Sequence, residues 1–202
     1  MEPRHDHWIA AKHILRYLCG TIHHCLKYDS KEVKLIGFTD FDWGGNVTDG
    51  RSTTGGCFSL GAAIISWLSR KQDPIALSSA EAEYVAACEV GKKAVWLRKL
   101  LIDLFEKSLG PTVINCDNQS CIKMSGDLVF HSSTKHINNK FHFIRKLVQD
   151  GTLKLEYVLT DEHVKNILTK VLPNKKFEYL TNLMGLVDIG DCIDDKEMED
   201  IC

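Results

Sequence analysis

The stretch VKLIGFTD (33–40) decides the fold, because it is an apolar run that ends in a carboxylate and is followed by turn-forming residues, as a buried strand would be. A second run, PTVINCDNQ (111–119), passes from apolar residues to a carboxylate in the same way, and the helical pattern LSSAEAEYVA (77–86) lies between the two. These stretches contribute the acids Asp40, Glu83 and Asp117. The acids can meet only if the two strands are neighbours and the helix packs across them.

The spacing of apolar residues along the rest of the chain predicts three further strands and several helices. An amphipathic helix begins near residue 4 and is stopped by Gly20. The order of elements after it predicts an α/β fold with a mixed five-stranded sheet flanked by helices, in which hairpins join the first three strands and helical crossovers lead to parallel ones. The predicted strands cover about 33–40, 56–61, 63–69, 113–116 and 153–159, and the later helices about 79–107, 118–125, 136–149 and 161–171.

Composition excludes several classes of protein. The chain has 202 residues, 44% of them apolar, which suits one globular domain with extensions. No apolar stretch reaches the roughly 18 residues of a membrane span, and the N-terminus has no apolar signal-peptide core. We therefore expect no membrane partner and an intracellular location, in the cytoplasm, the nucleus or both, without secretion. Eight cysteines without a CxxC pair predict reduced, mostly buried thiols.

Charge is distributed unevenly along the chain. The segment 188–202 holds seven acids and one lysine out of totals of 27 acids and 25 bases, so the remaining body has 20 acids and 24 bases. We expect this acidic segment to be a disordered, solvated tail. A body charge of about +4 suits a nucleic-acid ligand.

Carboxylates at strand ends and a helix start are the ligand set of a two-metal phosphodiester hydrolase. Mg²⁺ prefers hard oxygen ligands in octahedral geometry, and a pair of ions stabilises both the attacking and the leaving oxygen. Mg²⁺ is therefore the expected cofactor, and Mn²⁺ could replace it. Simpler interpretations exist for single residues: Asp40 alone would be a solvated strand end, and Asp117 alone would be a helix N-cap.

Two glutamates lie near the start of the long helix, and they cannot serve the same site because residues two apart on a helix point about 200° away from each other. Ser78 and Glu81 have the spacing of a capping box, which gives Glu81 a complete structural role. Glu83 has no such role. We therefore assign Glu81 to the cap and keep Glu83 as a candidate for the acidic cluster.

Several consecutive motifs, in the same order, resemble the ribonuclease H domain of Ty/copia-type retrotransposon Pol polyproteins. The resemblance covers about residues 33–186, and residues 1–30 resemble the segment that joins reverse transcriptase to that domain, so the chain is similar to a C-terminal fragment of such a polyprotein. It predicts a helical remnant over 1–30, a ribonuclease H-like domain over 31–187 and the acidic tail over 188–202. The motifs are GFTDFDWGGNVTDGRSTTGGCFSLG, ISWLSRKQDPIALSSAEAEYVAACE, AVWLRKLL, VINCDNQSCI, FHSSTKHINNKFHFIR and LEYVLTDEHVKNILTKVLP.

The resemblance implies roles for individual residues. It implies that Asp40, Glu83 and Asp117 hold the metal ions, and that Gln119, with Asn118 as a weaker candidate, contacts the minor groove of the substrate. Asn166 is a departure, because the family has an acid at that position. An asparagine oxygen can still coordinate a metal ion, but it brings no negative charge, so one ion should bind more weakly.

The implied function is cleavage of the RNA strand of RNA–DNA hybrids by two-metal hydrolysis during retrotransposon replication, and a reverse transcriptase domain of the parent polyprotein is an implied partner. The alternative is a catalytically degenerate relic with the same fold, which at most binds nucleic acid. Asn166 is the main reason to keep that alternative, because it removes one charge from the catalytic set. The sequence therefore indicates a hydrolase by family and leaves its turnover open.

Overall fold

The structure, a computed structural model, describes residues 4–28, 34–42, 51–73, 78–106, 108–126, 138–158, 167 and 172–189. Within these ranges no helix combines the length and the apolar character needed to cross a membrane. The elements, in chain order, are α1 (His5–Gly20), β1 (His24–Leu26), β2 (Leu35–Asp42), β3 (Thr53–Leu60), β4 (Ala63–Lys71), α2 (Ser79–Phe105), β5 (Thr112–Cys116), α3 (Gln119–Gly126), α4 (Asn138–Gln149), β6 (Leu153–Tyr157), α5 (Asn174–Leu183) and β7 (Leu186–Asp188).

The central sheet has five strands in the order β4-β3-β2-β5-β6. β2, β3 and β4 form two consecutive antiparallel hairpins, whereas β5 pairs in parallel with β2 and with β6. The mixed five-stranded α/β sheet of ribonuclease H type is therefore confirmed. β2 and β5, the two strands that carry Asp40 and lead to Asp117, are direct neighbours.

β2 extends further than the sequence predicts. Its pairing with β3 continues through Asp40 opposite Gly55 to Asp42 opposite Thr53. The expected end at Asp40 is wrong by two residues, because β3 begins at Thr53 instead of residue 56 and offers partners for the extra positions. Asp40 thus sits inside a paired strand, which fixes its backbone more firmly than a strand end would.

α2 is the helix that covers the sheet. The Ser78 side chain accepts a hydrogen bond from the Glu81 N–H at 3.2 Å, so the predicted N-cap is present. Seven consecutive residues after Glu81 are buried, and the buried positions then continue at Val90, Gly91, Ala94, Leu97 and Leu101, with mostly helical spacing. The first turns of α2 are therefore enclosed on all sides, and only its later part is amphipathic.

A small second sheet was missed by the sequence analysis. β1 pairs antiparallel with β7, so His24–Leu26 lie beside Leu186–Asp188. The Gly185 carbonyl accepts from the Lys27 N–H at 2.8 Å, and the Met184 carbonyl accepts from the Ile64 N–H at 3.1 Å. The first bond extends the β1–β7 pairing by one residue, and the second attaches the segment before β7 to the start of β4. Strands of three residues carry too little alternation to be recognised in a sequence.

Gly185 is the residue on which this attachment depends most. Its φ is +77°, and a Cβ at this position would lie 2.6 Å from the Ala63 Cβ and 2.7 Å from the Ala62 carbonyl oxygen. We expect Gly185→Ala to lower the free energy of unfolding by about 2–5 kcal/mol, because left-handed strain and overpacking add. Gly151→Ala is the matched control: its φ is +67° with nothing within 4 Å, so only about 1–2 kcal/mol should be lost. Urea denaturation of both variants measures their free energies of unfolding. An equal loss of stability in the two variants would show that the close contacts with Ala62 and Ala63 add no cost.

Some expectations lie outside the described residues. They include Asn166, the predicted helix 161–171 apart from the helical Ile167, and the tail from residue 190 onward. The domain boundaries at 30/31 and 187/188 stay predictions.

Candidate active site

The strand order brings two of the three acids to one edge of the sheet. Parallel register pairs Phe38 of β2 with Asn115 of β5. Asp40 lies two residues beyond Phe38, and Asp117 lies two residues beyond Asn115. Both acids are therefore at the same level of the sheet, Asp40 on β2 and Asp117 just after the neighbouring strand β5. Asp40 is 4% exposed, whereas Asp117, just after β5, is half-buried. The carboxyl ends of neighbouring parallel strands are where α/β proteins commonly place their sites.

Glu83 approaches this edge from α2. Its side chain is fully buried, and its Oε1 accepts a hydrogen bond from the Cys116 Sγ at 3.2 Å. Cys116 is the last residue of β5 and immediately precedes Asp117. The carboxylate of Glu83 is therefore held one residue away from Asp117, as the assignment of Glu83 to the site requires.

Glu81 has a different environment. Its backbone N–H donates to Ser78 Oγ at the start of α2, and its side chain is 7% exposed. The structure thus places Glu81 at the cap and Glu83 beside β5, two roles that the helical phase separates.

Two thiols beneath the acids were not recognised as part of the site from the sequence. The Cys116 Sγ donates to Glu83 Oε1 at 3.2 Å and accepts from the Asn118 N–H at 3.4 Å. The interaction with Cys116, together with burial, raises the pKa of Cys121 well above its usual value. Cys116 is therefore a contact through which the end of β5 reaches the Glu83 carboxylate. In the sequence, Cys116 and Cys121 look like ordinary buried thiols. Their spacing from Glu83 gives no indication that they lie close to it.

The residues after Asp117 start α3. The Asn118 Oδ1 accepts from the Cys121 N–H at 3.1 Å, so Asn118 caps this helix. Gln119, the first residue of α3, is exposed. Of the two predicted minor-groove residues, Gln119 therefore presents its amide to solvent two positions from Asp117, while the side-chain oxygen of Asn118 is used in the cap.

The donor set fits a hard divalent cation. Asp40, Glu83 and Asp117 supply only oxygen ligands, which Mg²⁺ and Mn²⁺ accept. Two of the three carboxylates are almost completely buried, and bound cations offset the cost of burying such charges. Across the described ranges, however, no three histidine, cysteine, aspartate or glutamate side chains are grouped closely enough to hold a metal ion. The carboxylate oxygens are suitable ligands for Mg²⁺ or Mn²⁺. Among the described residues, however, these side chains are not close enough together to form a metal-binding group of three.

Two retrotransposon proteins are similar to the chain over most of its length. It is 41% identical over 187 residues to the Retrovirus-related Pol polyprotein from transposon TNT 1-94 of Nicotiana tabacum, a match that covers 92% of this chain and 14% of that protein. It is 37% identical over 188 residues to the Pol polyprotein from transposon RE2 of Arabidopsis thaliana, covering 93% and 13%. The chain thus spans about one seventh of the length of these relatives. No family model matches it.

Among solved structures, the N-terminal RNase H domain of a Mycobacterium tuberculosis protein, fused to maltose binding protein, aligns with a TM-score of 0.48 and 15% identity over 74% of this chain and 97% of that one. The identity to the plant polyproteins extends through both strands that lead to the acids and through α2. Over more than nine tenths of its length the chain is therefore similar to Pol polyproteins of Ty/copia-type retrotransposons, and it has a ribonuclease H-like fold.

Proposed function

We propose that the chain is a metal-dependent endonuclease that cleaves the RNA strand of RNA–DNA hybrids. The observation that carries the proposal is the placement of Asp40 and Asp117 at one level on neighbouring parallel strands, with the buried Glu83 carboxylate held against the residue before Asp117. Three carboxylates at one sheet edge are a ligand set for Mg²⁺, or for Mn²⁺ in its place.

Each residue has a distinct task in this proposal. Asp40, fixed within β2, and Asp117, after β5, would hold the cations at the sheet edge, and Glu83 would complete the set from the side of α2. Bound Mg²⁺ would supply the Lewis acidity that stabilises charge on the attacking and leaving oxygens. Asn166 would be a neutral fourth ligand. The sheet and α2 contribute preorganisation, because they hold buried carboxylates in place before the substrate arrives.

The substrate and partners follow from the family. Gln119 is exposed near Asp117 and can reach the minor groove of an A-form-like duplex, where amides contact sugar hydroxyls and base edges. The products would carry 3′-hydroxyl and 5′-phosphate ends. The Pol relatives support a parent polyprotein. A reverse transcriptase domain as partner and an intracellular site of action are part of the proposal and rest on the sequence alone.

A catalytically degenerate relic is the second candidate. It is favoured by the neutral residue Asn166 and by the finding that, in the part of the chain that the structure describes, no metal-binding group of three side chains is formed. Such a protein would bind a hybrid without cleaving it. The two candidates therefore differ in one observable, the appearance of RNA fragments.

The test uses a hybrid with a labelled RNA strand, incubated with the full chain in Mg²⁺. We expect RNA fragments with 5′-phosphate ends, an intact DNA strand, and loss of cleavage in Asp117→Asn. Asp150→Asn serves as the control, because Asp150 is exposed at the end of α4. Equal cleavage by the Asp117 and Asp150 variants would show that Asp117 is not part of the site.

The contact between Cys116 and Glu83 gives a more specific prediction. Cys116→Ala removes the donor to Glu83 Oε1, and we expect cleavage to fall about fivefold, which corresponds to about 1 kcal/mol for a weak hydrogen bond. Cys116→Ser retains a donor and should keep most of the activity. Cys57→Ala controls for the loss of a buried thiol, because Cys57 lies on β3. A serine variant as impaired as the alanine variant would contradict an orienting role.

A further inference from the structure

α1 presents an apolar stripe to solvent. Its members, Trp8, Ala11, Leu15 and Leu18, follow one another at spacings of three, four and three residues, so they share one face of the helix. The three large side chains of the stripe are 57%, 57% and 54% exposed, and no residue of α1 is buried. Helices in proteins gain most of their stability by packing such a face against a partner. Within the described ranges, the structure leaves this stripe uncovered.

The rest of the fold holds α1 by a different face. The ring of Tyr17 packs edge-on against the ring of Phe177 on α5, with 6.3 Å between the centroids. Tyr17 and Leu15 are two residues apart, which places them about 200° from each other around the helix. The side of α1 that carries Leu15 therefore faces away from α5.

Basic side chains border the stripe and limit what can cover it. The Lys12 Nζ lies over the Trp8 ring, 5.3 Å from its centroid, and Arg16 follows Lys12 one turn later. Segment 4–28 contains four lysines and arginines and one aspartate. Two α1 helices packed together would bring the basic borders of both copies into one seam, where like charges repel. A partner that combines acidic and apolar side chains fits this surface better.

One segment of the chain has this composition and begins beside α1. Residues 190–202, the acidic segment, contain six acids and one lysine together with two isoleucines and a methionine. The Ile189 N–H donates to the His23 carbonyl at 2.7 Å, so the acidic segment begins next to the residues that follow α1. Lys12 lies about 12 Å along the helix from Gly20. An extended chain of thirteen residues reaches up to about 43 Å, which is more than enough.

We propose that the acidic segment 190–202 is the partner of α1 within the same chain. Its carboxylates pair with Lys12 and Arg16, and its isoleucines and methionine cover the stripe between Trp8 and Leu18. A segment with this much charge and so few apolar residues has no core of its own and orders only on a partner. The inference is independent of the proposed function, because the surface lies on α1 and uses no residue of the candidate active site.

Carbodiimide cross-linking of the full chain tests the contact, because the reagent joins a lysine amine to a carboxylate that lies against it. Mass spectrometry of the monomer should find Lys12 linked to the acidic segment. Lys154 is the matched control: it is exposed and pairs with Glu156 at 2.7 Å, so its link should go to Glu156. Absence of the Lys12 link, or equal linkage of Lys154 to the acidic segment, would overturn the proposal. Lys12 links found only in dimers would also overturn it, in favour of a second copy as the partner.

Hydrogen exchange gives a second readout on the full chain. Replacing Asp194 and Asp195 together by Asn should speed exchange of the α1 amides about fivefold, as expected from the loss of two exposed ion pairs. About 0.5 M salt should do the same to the unmodified chain, because it screens these pairs. Asp103→Asn combined with Asp150→Asn is the control, since both acids are exposed far from α1 in the sequence. Equal exchange of the α1 amides in the two double variants would contradict a stabilising contact.

Discussion

Replacing Asp40 by Asn should lower the rate of hybrid cleavage by at least about 100-fold, or about 2.7 kcal/mol in the activation free energy. The side chain keeps its shape but loses the charge that would hold a cation at the sheet edge. Asp40 is 4% exposed and paired within β2, so neighbouring water or side chains cannot easily take its place. Single-turnover cleavage of a labelled hybrid in saturating Mg²⁺ gives the rate.

A matched acid shows whether the effect is local. Asp103 is exposed on the later part of α2, so Asp103→Asn removes the same charge far from the sheet edge. Its cleavage rate should stay within about twofold of the unmodified chain, since surface charges contribute little. Thermal melting followed by circular dichroism checks that both variants fold. A folded Asp40→Asn protein with the rate of Asp103→Asn would remove Asp40 from the site.

Glu83→Gln should also reduce cleavage by at least about 100-fold, while Glu81→Gln should change it by less than about threefold. The two residues lie two positions apart on α2 and are both buried, so the pair is a stringent internal comparison. Glu83 contacts the end of β5 through Cys116. A glutamine at position 83 can still accept the thiol hydrogen bond, so the fold should be retained.

Metal binding gives a second measurement for the same pair. A ligand that binds only the native state raises its stability according to its concentration and affinity. Mn²⁺ should therefore raise the melting temperature of the unmodified chain and of Glu81→Gln, and should do so less for Glu83→Gln. A larger loss in Glu81→Gln than in Glu83→Gln, in either measurement, would reverse the two assignments.

The sheet could be predicted from the sequence because its strands are distinct apolar runs separated by turn residues or helices. VKLIGFTD and PTVINC give strong signals, and their order with α2 between them restricts the topology to few choices. The end of β2 could not be predicted, because it depends on the partners that β3 supplies. The β1–β7 pair was missed for a related reason: its two short strands are about 160 residues apart in the sequence, and each finds its partner only in the fold.

The candidate site was predictable in its residue types and less so in its contacts. The sequence separated Glu83 from Glu81 by helical phase and by the cap at Ser78. In the structure the Glu81 backbone N–H donates to Ser78, and the Glu83 side chain contacts Cys116. The sequence suggested Asp117 as a possible N-cap of α3, whereas Asn118 supplies the cap in the structure. Cys116 became visible as a partner of Glu83 only in three dimensions, because the two are 33 residues apart. Asn166 stays a prediction from the sequence.

The most direct test is cleavage of a labelled RNA–DNA hybrid by the unmodified chain and by Asn166→Asp, each with Mg²⁺ and with EDTA. We expect the unmodified chain to cut the RNA strand only in Mg²⁺, and Asn166→Asp to cut it about tenfold faster, because the added charge strengthens one metal site. Intact RNA with both folded proteins in Mg²⁺ would contradict a working hydrolase and favour the catalytically degenerate relic.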